Sequence, residues 1–461
     1  MILKKLIYIY QLEHYDKKRF LSFIYKNLDW FHLNKRGQLS QTIRSTLVFY
    51  ISIFTVIAIL VTTYFIFGIL WLFLVTVLSV IFLPFIIIFA DISIAPLVLS
   101  QKNKILKRAQ QIIRKNKNKG LITIGITGSF GKTSMKNVLN NILSEKYSVF
   151  EFPGNINTDI GVAQYIIENS QKVEKADILI SEMGAYKIGE IKKLSDIVQP
   201  TYSILTSIGE CHLERFGSLE NIITAKFELP NSTEKKTFLN ICDSNVKKYA
   251  DEKIVKNVDV VKICGSKIAE NVKYLNDFNG ISFEYNDNVF TTKIIADYVI
   301  DFIMTAVKVA EELDLHISEI ENGIKKIDFV PHRLEVLKNE KLDRIIIDDS
   351  YNGNYAGFLL GLKILSRANG RKIVLTPGIV ELGEKRSREV HKLLAEEYSK
   401  NVDLVLLIKN KNVDFIADRF KELGFNEYKV YQTAKEAHDD LVNVLKNGDT
   451  IIFQNDISDN Y

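Results

Sequence analysis

The sequence predicts an α/β protein: two soluble domains of alternating strands and helices, preceded by a two-helix transmembrane hairpin. Three observations carry this expectation. Residues 45–90 contain no charged side chain, in a chain that is 25% charged overall. Beyond Gly120, short apolar runs alternate with helical stretches, the pattern of βα units. A glycine-rich turn, GITGSFGKTS from Gly125 to Ser134, lies between such a run and a helical stretch. At 461 residues and 47% hydrophobic composition, the chain can bury several cores and is not a disordered tail.

The first segment, 1–44, is basic, with Lys17, Lys18, Arg19, Lys26, Lys35, Arg36 and Arg44. The hairpin follows at 45–90. A bilayer-spanning helix needs about 20 apolar residues, so the stretch holds two spans. They break at Phe67-Gly68-Ile69, where the glycine is the turn-former. A signal peptide would be shorter and begin earlier. A basic linker helix, 91–119, carries Lys102, Lys104, Lys107, Arg108, Arg114, Lys115, Lys117 and Lys119. Positive residues stay on the cytoplasmic side, and two spans return the chain to that side, so the body is expected in the cytosol beneath the cytoplasmic membrane. The flanking cations are expected to attract anionic headgroups, making membrane lipid a partner. The net charge of +5 is modest, and its position says more than its size. Cys211, Cys242 and Cys264 form no C-x-x-C pair, which argues against a disulfide framework or zinc ribbon and suits a reducing compartment.

The first soluble domain, 120–330, reads as the strand LITIGIT, a helix from about Lys132, then the strands YSVFEF, DILISEM and YSILTSI. The second, 331–461, reads as RIIIDDS, KIVLTPGI, DLVLLI and DTIIF, and is expected to be Rossmann-like. The boundary is placed at Phe329-Val330-Pro331-His332, where proline ends the preceding helical pattern.

The turn at Gly125 has the setting a phosphate loop requires, after a strand and opening a helix. Amides of Gly128, Ser129 and Gly131 can turn toward phosphate oxygens, and the helix N-terminus adds partial positive charge. Lys132 would neutralise the β and γ phosphates and the Thr133 hydroxyl would hold Mg²⁺, with Ser134 beside them. The usual first glycine of the pattern would fall at 126, where isoleucine stands. Glu182 closes the apolar strand DILI, and strand C-termini line the ligand crevice of an open α/β sheet. His212 and Lys226 follow the next strand. Carboxylate and imidazole suit a divalent cation, although a strand-end glutamate is as often a salt-bridge partner and a lone histidine more often structural.

Three strings, in order, resemble the Mur ligases: GECHLERFGSLENIITAKFEL (209–229), DDSYNGNYAGF (348–358) and VELGEKRSREVH (380–391). The nearest branch is the one that adds D-alanyl-D-alanine to a UDP-MurNAc-tripeptide. That family's phosphate loop has the same offset glycines. The resemblance implies an ADP-forming acid–amino-acid ligase that binds ATP and two Mg²⁺ ions. It implies that Glu182 and His212 hold the second ion and that Lys226 carries a carbamate. Asn155, Asn157 and Thr158 would face the acyl substrate. Arg333 and Asp349 would contact the nucleotide, with Tyr351 and Asn352 beside them. The implied partners are a carboxylate-bearing peptide or glycopeptide precursor, UDP-linked or lipid-linked, and an amino acid or dipeptide amine, with no nucleic acid.

The sequence also departs from the family. No UDP-gripping N-terminal domain is recognisable before Gly120. Tyr298, Val299 and Phe302 stand where an H-N-x-x-N motif holds adenine. Gly378-Ile379-Val380 replaces a G-D-M triplet, and the C-terminus IIFQNDISDNY lacks a K-G-S-R-like segment. Two other readings remain at this point: a polyglutamate or folylpolyglutamate type of ligase, and a membrane phosphate-loop NTPase acting as a switch or scaffold.

Overall fold

The computed structural model describes residues 2–13, 15–27, 41–153, 156–211, 213–254, 258–339, 343–350, 353–379, 382 and 384–454. Two compact units emerge among the described residues, one up to residue 105 and one from residue 106 to 454.

In the first unit, α1 (Ile2–Leu12) and α2 (Lys17–Lys26) precede α3 (Ile43–Phe67), α4 (Leu72–Ile81) and α5 (Leu83–Lys117), the last of which runs on into the second unit. Asp16 caps α2 by accepting from the Lys18 and Arg19 amides. The break between α3 and α4 falls at Gly68. The second apolar stretch is divided again at Phe82, and α5 continues unbroken past residue 90, the expected end of the hairpin, with Pro96 inside it. Two helices, Ile43–Phe67 and Leu83–Lys117, are long and apolar enough to cross a membrane. Along the apolar stretch Phe54, Phe65, Leu70, Phe73 and Phe85 are exposed, while Leu6, Ile7, Tyr10 and Phe20 pack with Val48, Ile87 and Ala90. Arg44 and Asp91, which bracket the uncharged stretch, form a two-pronged ion pair at 2.7 and 2.9 Å, and the Tyr10 hydroxyl donates to the same carboxylate at 2.9 Å. Pairing the two ends of the stretch suits a hairpin whose ends share one side.

The second unit contains three sheets. The first has the strands β1 (Ile122–Thr127), β2 (Val149–Glu151), β3 (Ile178–Glu182), β4 (Tyr202–Leu205), β5 (Lys236–Asn240) and β6 (Asp259–Ile263), in the order β2-β3-β1-β4-β5-β6 and parallel throughout. Its helices are α6 (Lys132–Leu143), α7 (Asp159–Glu168), α8 (Ser170–Lys175), α9 (Glu190–Val198), α10 (Leu213–Phe216), α11 (Leu219–Phe227), α12 (Ser244–Lys253) and α13 (Gly265–Ile268). The central strands are buried along nearly their whole length, as helices on both faces of a parallel sheet demand. A small antiparallel sheet, β7 (Glu270–Tyr274), β8 (Ile281–Tyr285) and β9 (Asn288–Thr292), leads into α14 (Tyr298–Glu312) and α15 (Ile317–Lys326).

The third sheet follows with β10 (Glu335–Asn339), β11 (Arg344–Asp349), α16 (Tyr355–Leu365), β12 (Lys372–Thr376), α17 (Glu384–Asn401), β13 (Leu404–Ile408), α18 (Lys411–Leu423), β14 (Tyr428–Tyr431), α19 (Ala434–Val444) and β15 (Thr450–Gln454). Its order is β10-β11-β15-β12-β13-β14, parallel except for β10. One apolar core runs from α6 and α14 to α16 and α17, so this layer packs directly on the first.

One expectation needs correction, and three cations of the basic linker find partners in the body. Lys115 and Lys119 pair with Glu174, and Lys117 pairs with Glu234 at 2.7 Å and donates to the Gln199 carbonyl. These three cations fasten the end of α5 to the α/β body. Cys242 and Cys264, read as separate thiols, are joined by a disulfide. Their separation of 22 residues hides that they end neighbouring strands.

Candidate active site

The phosphate loop leaves β1 at the centre of the sheet, flanked by β3 and β4, so whatever it holds lies at the C-terminal edge of three strands. Gly131 has φ 78°, and a Cβ there would lie 2.3 Å from Phe302 Cζ. A Cβ on Gly128 would lie 2.0 Å from Thr206 Oγ1. Both positions therefore require glycine. The loop is braced from the turn after β4: the Ser129 amide donates to the Ser207 carbonyl at 2.9 Å, the Phe130 amide to Ser207 Oγ at 2.9 Å, and Thr206 Oγ1 to the Phe130 carbonyl at 2.6 Å. Sequence reasoning missed these braces because a threonine and a serine carry no spacing signal.

Lys132 Nζ folds back onto the Gly128 carbonyl at 2.9 Å. Burial lowers its pKa, and the nearby Arg333 lowers it further, against the raising influence of Glu182. Thr133, at the start of α6, donates to Glu182 Oε2 at 3.1 Å. The two predicted metal-holding oxygens thus meet across the gap between α6 and the end of β3. Both are hard donors, the kind Mg²⁺ takes.

Lys226, on α11, is 4% exposed. Burial and the Lys132 charge push its pKa down to about 7, outweighing the pull of Cys211 and Glu182. A buried amine beside another cation is held near neutrality at physiological pH, the form in which it can add carbon dioxide. Cys211, unassigned in the sequence, lies close enough to Lys132 and Lys226 to feel both charges, and burial raises its thiol pKa. Its adjacency to His212 was the available signal. His212 itself lies outside the described residues.

Other groups reach the same place. Asn157 lies against Gly184, two residues past Glu182, with Nδ2 2.9 Å from where a Cβ would stand. The Thr158 hydroxyl caps α7 by accepting from the Gly161 amide. Tyr298, at the start of α14, is hydrogen-bonded to Ser134 and sits in the field of Asp349 and Arg333. Burial raises Asp349 to about 7, although the Leu334 amide and Arg333 favour its ionised form. Arg333, from beyond the expected boundary, therefore acts on Lys132, and Arg333 and Asp349 both act on Tyr298. Asn155, Tyr351 and Asn352 lie outside the described residues.

The profile of the Mur ligase middle domain matches residues 126–310, and that of the Mur ligase glutamate ligase domain matches residues 332–454. The chain belongs to the Mur ligase family. Among Mur ligases it is 28% identical over 296 residues to the UDP-N-acetylmuramoyl-tripeptide–D-alanyl-D-alanine ligase of Borreliella burgdorferi, covering 63% of each chain, so it spans a little under two thirds of that relative. The ligase of the same name from Buchnera aphidicola of Acyrthosiphon pisum is 29% identical over 341 residues, with 70% of each chain covered. In fold, the Mur ligase MurF of Thermotoga maritima, solved in complex with ADP, superposes with a TM-score of 0.64 at 24% identity, over 77% of this chain and 80% of that one. Against the Mur ligase pattern, the aromatic pair Tyr298 and Phe302, with ring centroids 5.4 Å apart, occupies the start of α14.

Proposed function

We propose that this protein is a membrane-anchored, ATP-dependent ligase that joins a carboxylate to an amine in cell-wall peptide synthesis. One observation carries the reading: Thr133 and Glu182 meet at the C-terminal edge of the first sheet, where Lys226 lies close enough to feel the charge of Lys132, and Lys132 that of Arg333, while Asp349, from the second family domain, feels Arg333.

A carboxylate is a poor acyl donor because oxide would have to leave. Its oxygen instead attacks the γ-phosphorus of ATP, ADP departs, and an acyl phosphate results. The amine nitrogen then attacks the acyl carbon, phosphate leaves with the bonding pair, and the nitrogen gives up a proton. Lys132 and the loop amides hold the transferring phosphoryl group and its growing charge. Thr133, Glu182, His212 and a carbamate on Lys226 would hold Mg²⁺, which would supply charge neutralisation at the phosphates. The carbamate arises when the neutral Lys226 amine adds carbon dioxide and loses a proton, replacing a cation with an anion. Arg333 and Asp349 would contact the nucleotide, and Asn155, Asn157, Thr158, Tyr351 and Asn352 would serve in binding the substrate. Closing these groups around both reactants saves translational entropy.

The relatives are named for joining D-alanyl-D-alanine to a UDP-linked tripeptide. Here two apolar helices stand before the catalytic body, which favours a lipid-linked carboxylate precursor beside the cytoplasmic membrane. The test is ADP release by the full chain in detergent, with UDP-linked and lipid-linked peptides and a panel of amino acids and dipeptides. Release that requires one acceptor and one amine, and disappears in Lys132→Ala, is expected. Equal release without acceptor or amine would instead mark a simple NTPase.

A further inference from the structure

Cys242 and Cys264 close a disulfide at the C-terminal ends of β5 and β6, where Asn240 pairs with Ile263 and the Cα atoms of the two cysteines are 4.8 Å apart. Both are partly exposed. On the proposed function the body works on the cytosolic side, a reducing compartment where persistent structural disulfides are rare and transient ones are catalytic or sensing.

Two paths lead from this pair to the phosphate loop. The Cys242 amide donates to Asn240 Oδ1 at 3.1 Å, Asn240 Nδ2 donates to the Thr206 carbonyl at 3.0 Å, and Thr206 Oγ1 donates to the Phe130 carbonyl at 2.6 Å. On the other side, Gly265 abuts α14 so closely that a Cβ would lie 2.5 Å from Asp301 Cα. The Ser266 amide donates to Asp301 Oδ1 at 2.7 Å, and Cys242 Sγ lies 3.1 Å from the same oxygen. The next residue on α14, Phe302, packs on Gly131 of the loop.

We infer that Cys242 and Cys264 are a reversible dithiol–disulfide site whose oxidation state sets the affinity of the phosphate loop for nucleotide. The oxidant is a low-molecular-weight disulfide. One cysteine thiolate attacks it, releasing one thiol and forming a mixed disulfide. The second cysteine displaces the remaining thiol, so two electrons pass from the pair to the oxidant and two thiols are released. Formation of the bond ties the ends of β5 and β6 together, and both paths carry the displacement to Phe130 and Gly131. This inference rests on nucleotide binding at that loop.

The experiment uses the full chain in detergent, equilibrated with oxidised glutathione or with a dithiol reductant. Thiol titration and intact mass report the cysteine state, and ADP affinity is measured in each. Wild type and Cys211→Ser should differ between the two states by about fivefold or more. Cys242→Ser and Cys264→Ser should show no difference. Equal affinity in both states, a difference that survives Cys242→Ser, or purified chain carrying zinc on the two thiols would overturn the inference. ADP binding in neither state would overturn the phosphate-loop reading itself, and this inference with it.

Discussion

At the scale of single residues, Lys226 is the most constrained group in the site. Its amine is buried beside Lys132, and its pKa is about 7 against an ordinary 10.5. Between those values the unfolded chain binds a proton that the folded protein has released, so stability from this group rises with pH across that window and is least below pH 7. The full cost of charging it is at most about 5 kcal/mol. Lys226→Met should therefore melt at a higher temperature than wild type near pH 6, and the gain should shrink toward pH 9. A melting difference that does not change with pH would mean that the lysine finds a compensating anion. On the proposed mechanism the same substitution should abolish ligation, since it removes the amine that would carry the carbamate. Lys226→Ala with added formate tests the carbamate separately, and partial recovery of ADP release is the expected result.

At the scale of elements, the loop between β12 and α17 is held by a buried imidazole. His391 Nε2 accepts from the Ile379 amide at 2.9 Å, and Nδ1 faces the Ser387 carbonyl at 2.7 Å. Asn412 adds a bond to the Ile379 carbonyl at 3.0 Å, and Asn410 one to Pro377 at 2.6 Å. The acceptor role of Nε2 requires neutral imidazole, and burial lowers the pKa of His391 below 6.5. Here too the unfolded chain binds the proton first as pH falls, so stability is lost as pH drops below about 6.5. His391→Ala strands a buried amide and opens a cavity, costing about 2–4 kcal/mol. Urea unfolding at pH 7.5 measures that cost. His391→Gln should remove this residue's share of the acid sensitivity, and an unchanged acid limb in that variant would contradict the assignment.

At the scale of the whole catalytic body, two features govern how the family domains meet. The linker after Pro331 holds His332 and Leu334 at φ 63° and 50°, a conformation that side chains adopt at a cost. Asp297 accepts from Lys363 of α16 and from Arg367, two residues past its end, each at 2.6 Å, while Arg367 stacks 3.7 Å over the Tyr274 ring and donates to the Ile295 carbonyl. Burial opposes ionisation of Asp297, but hydrogen bonds from Lys363, Tyr274 and Arg367 keep its pKa below the ordinary value. Partly exposed ion pairs contribute about 0.2–1 kcal/mol each and the stacked cation about as much, so the clasp totals roughly 2 kcal/mol. That is too little to hold the fold together and enough to bias closure about tenfold or more. Asp297→Asn should raise the KM for ATP by about tenfold with little change in melting temperature. A KM that stays at the wild-type value would remove the clasp from the catalytic cycle.

Much of this architecture was legible in the residues themselves. An uncharged stretch broken by Gly68 announced the apolar helices, and alternating apolar runs announced the parallel sheets, because burial on both faces demands continuous hydrophobic strands. The phosphate loop was legible because only glycine tolerates the contacts at 128 and 131. Local pattern could not reveal what distant segments do to one another. The Cys242–Cys264 bond depends on two strands lying side by side, and the pairing of Lys117 with Glu234 spans 117 positions. The near-neutral Lys226 depends on burial beside Lys132, and the Asp297 clasp on two domains in contact. Motif and periodicity are written along the chain, whereas desolvation and charge pairing arise from proximity, which comes into being only when the chain folds.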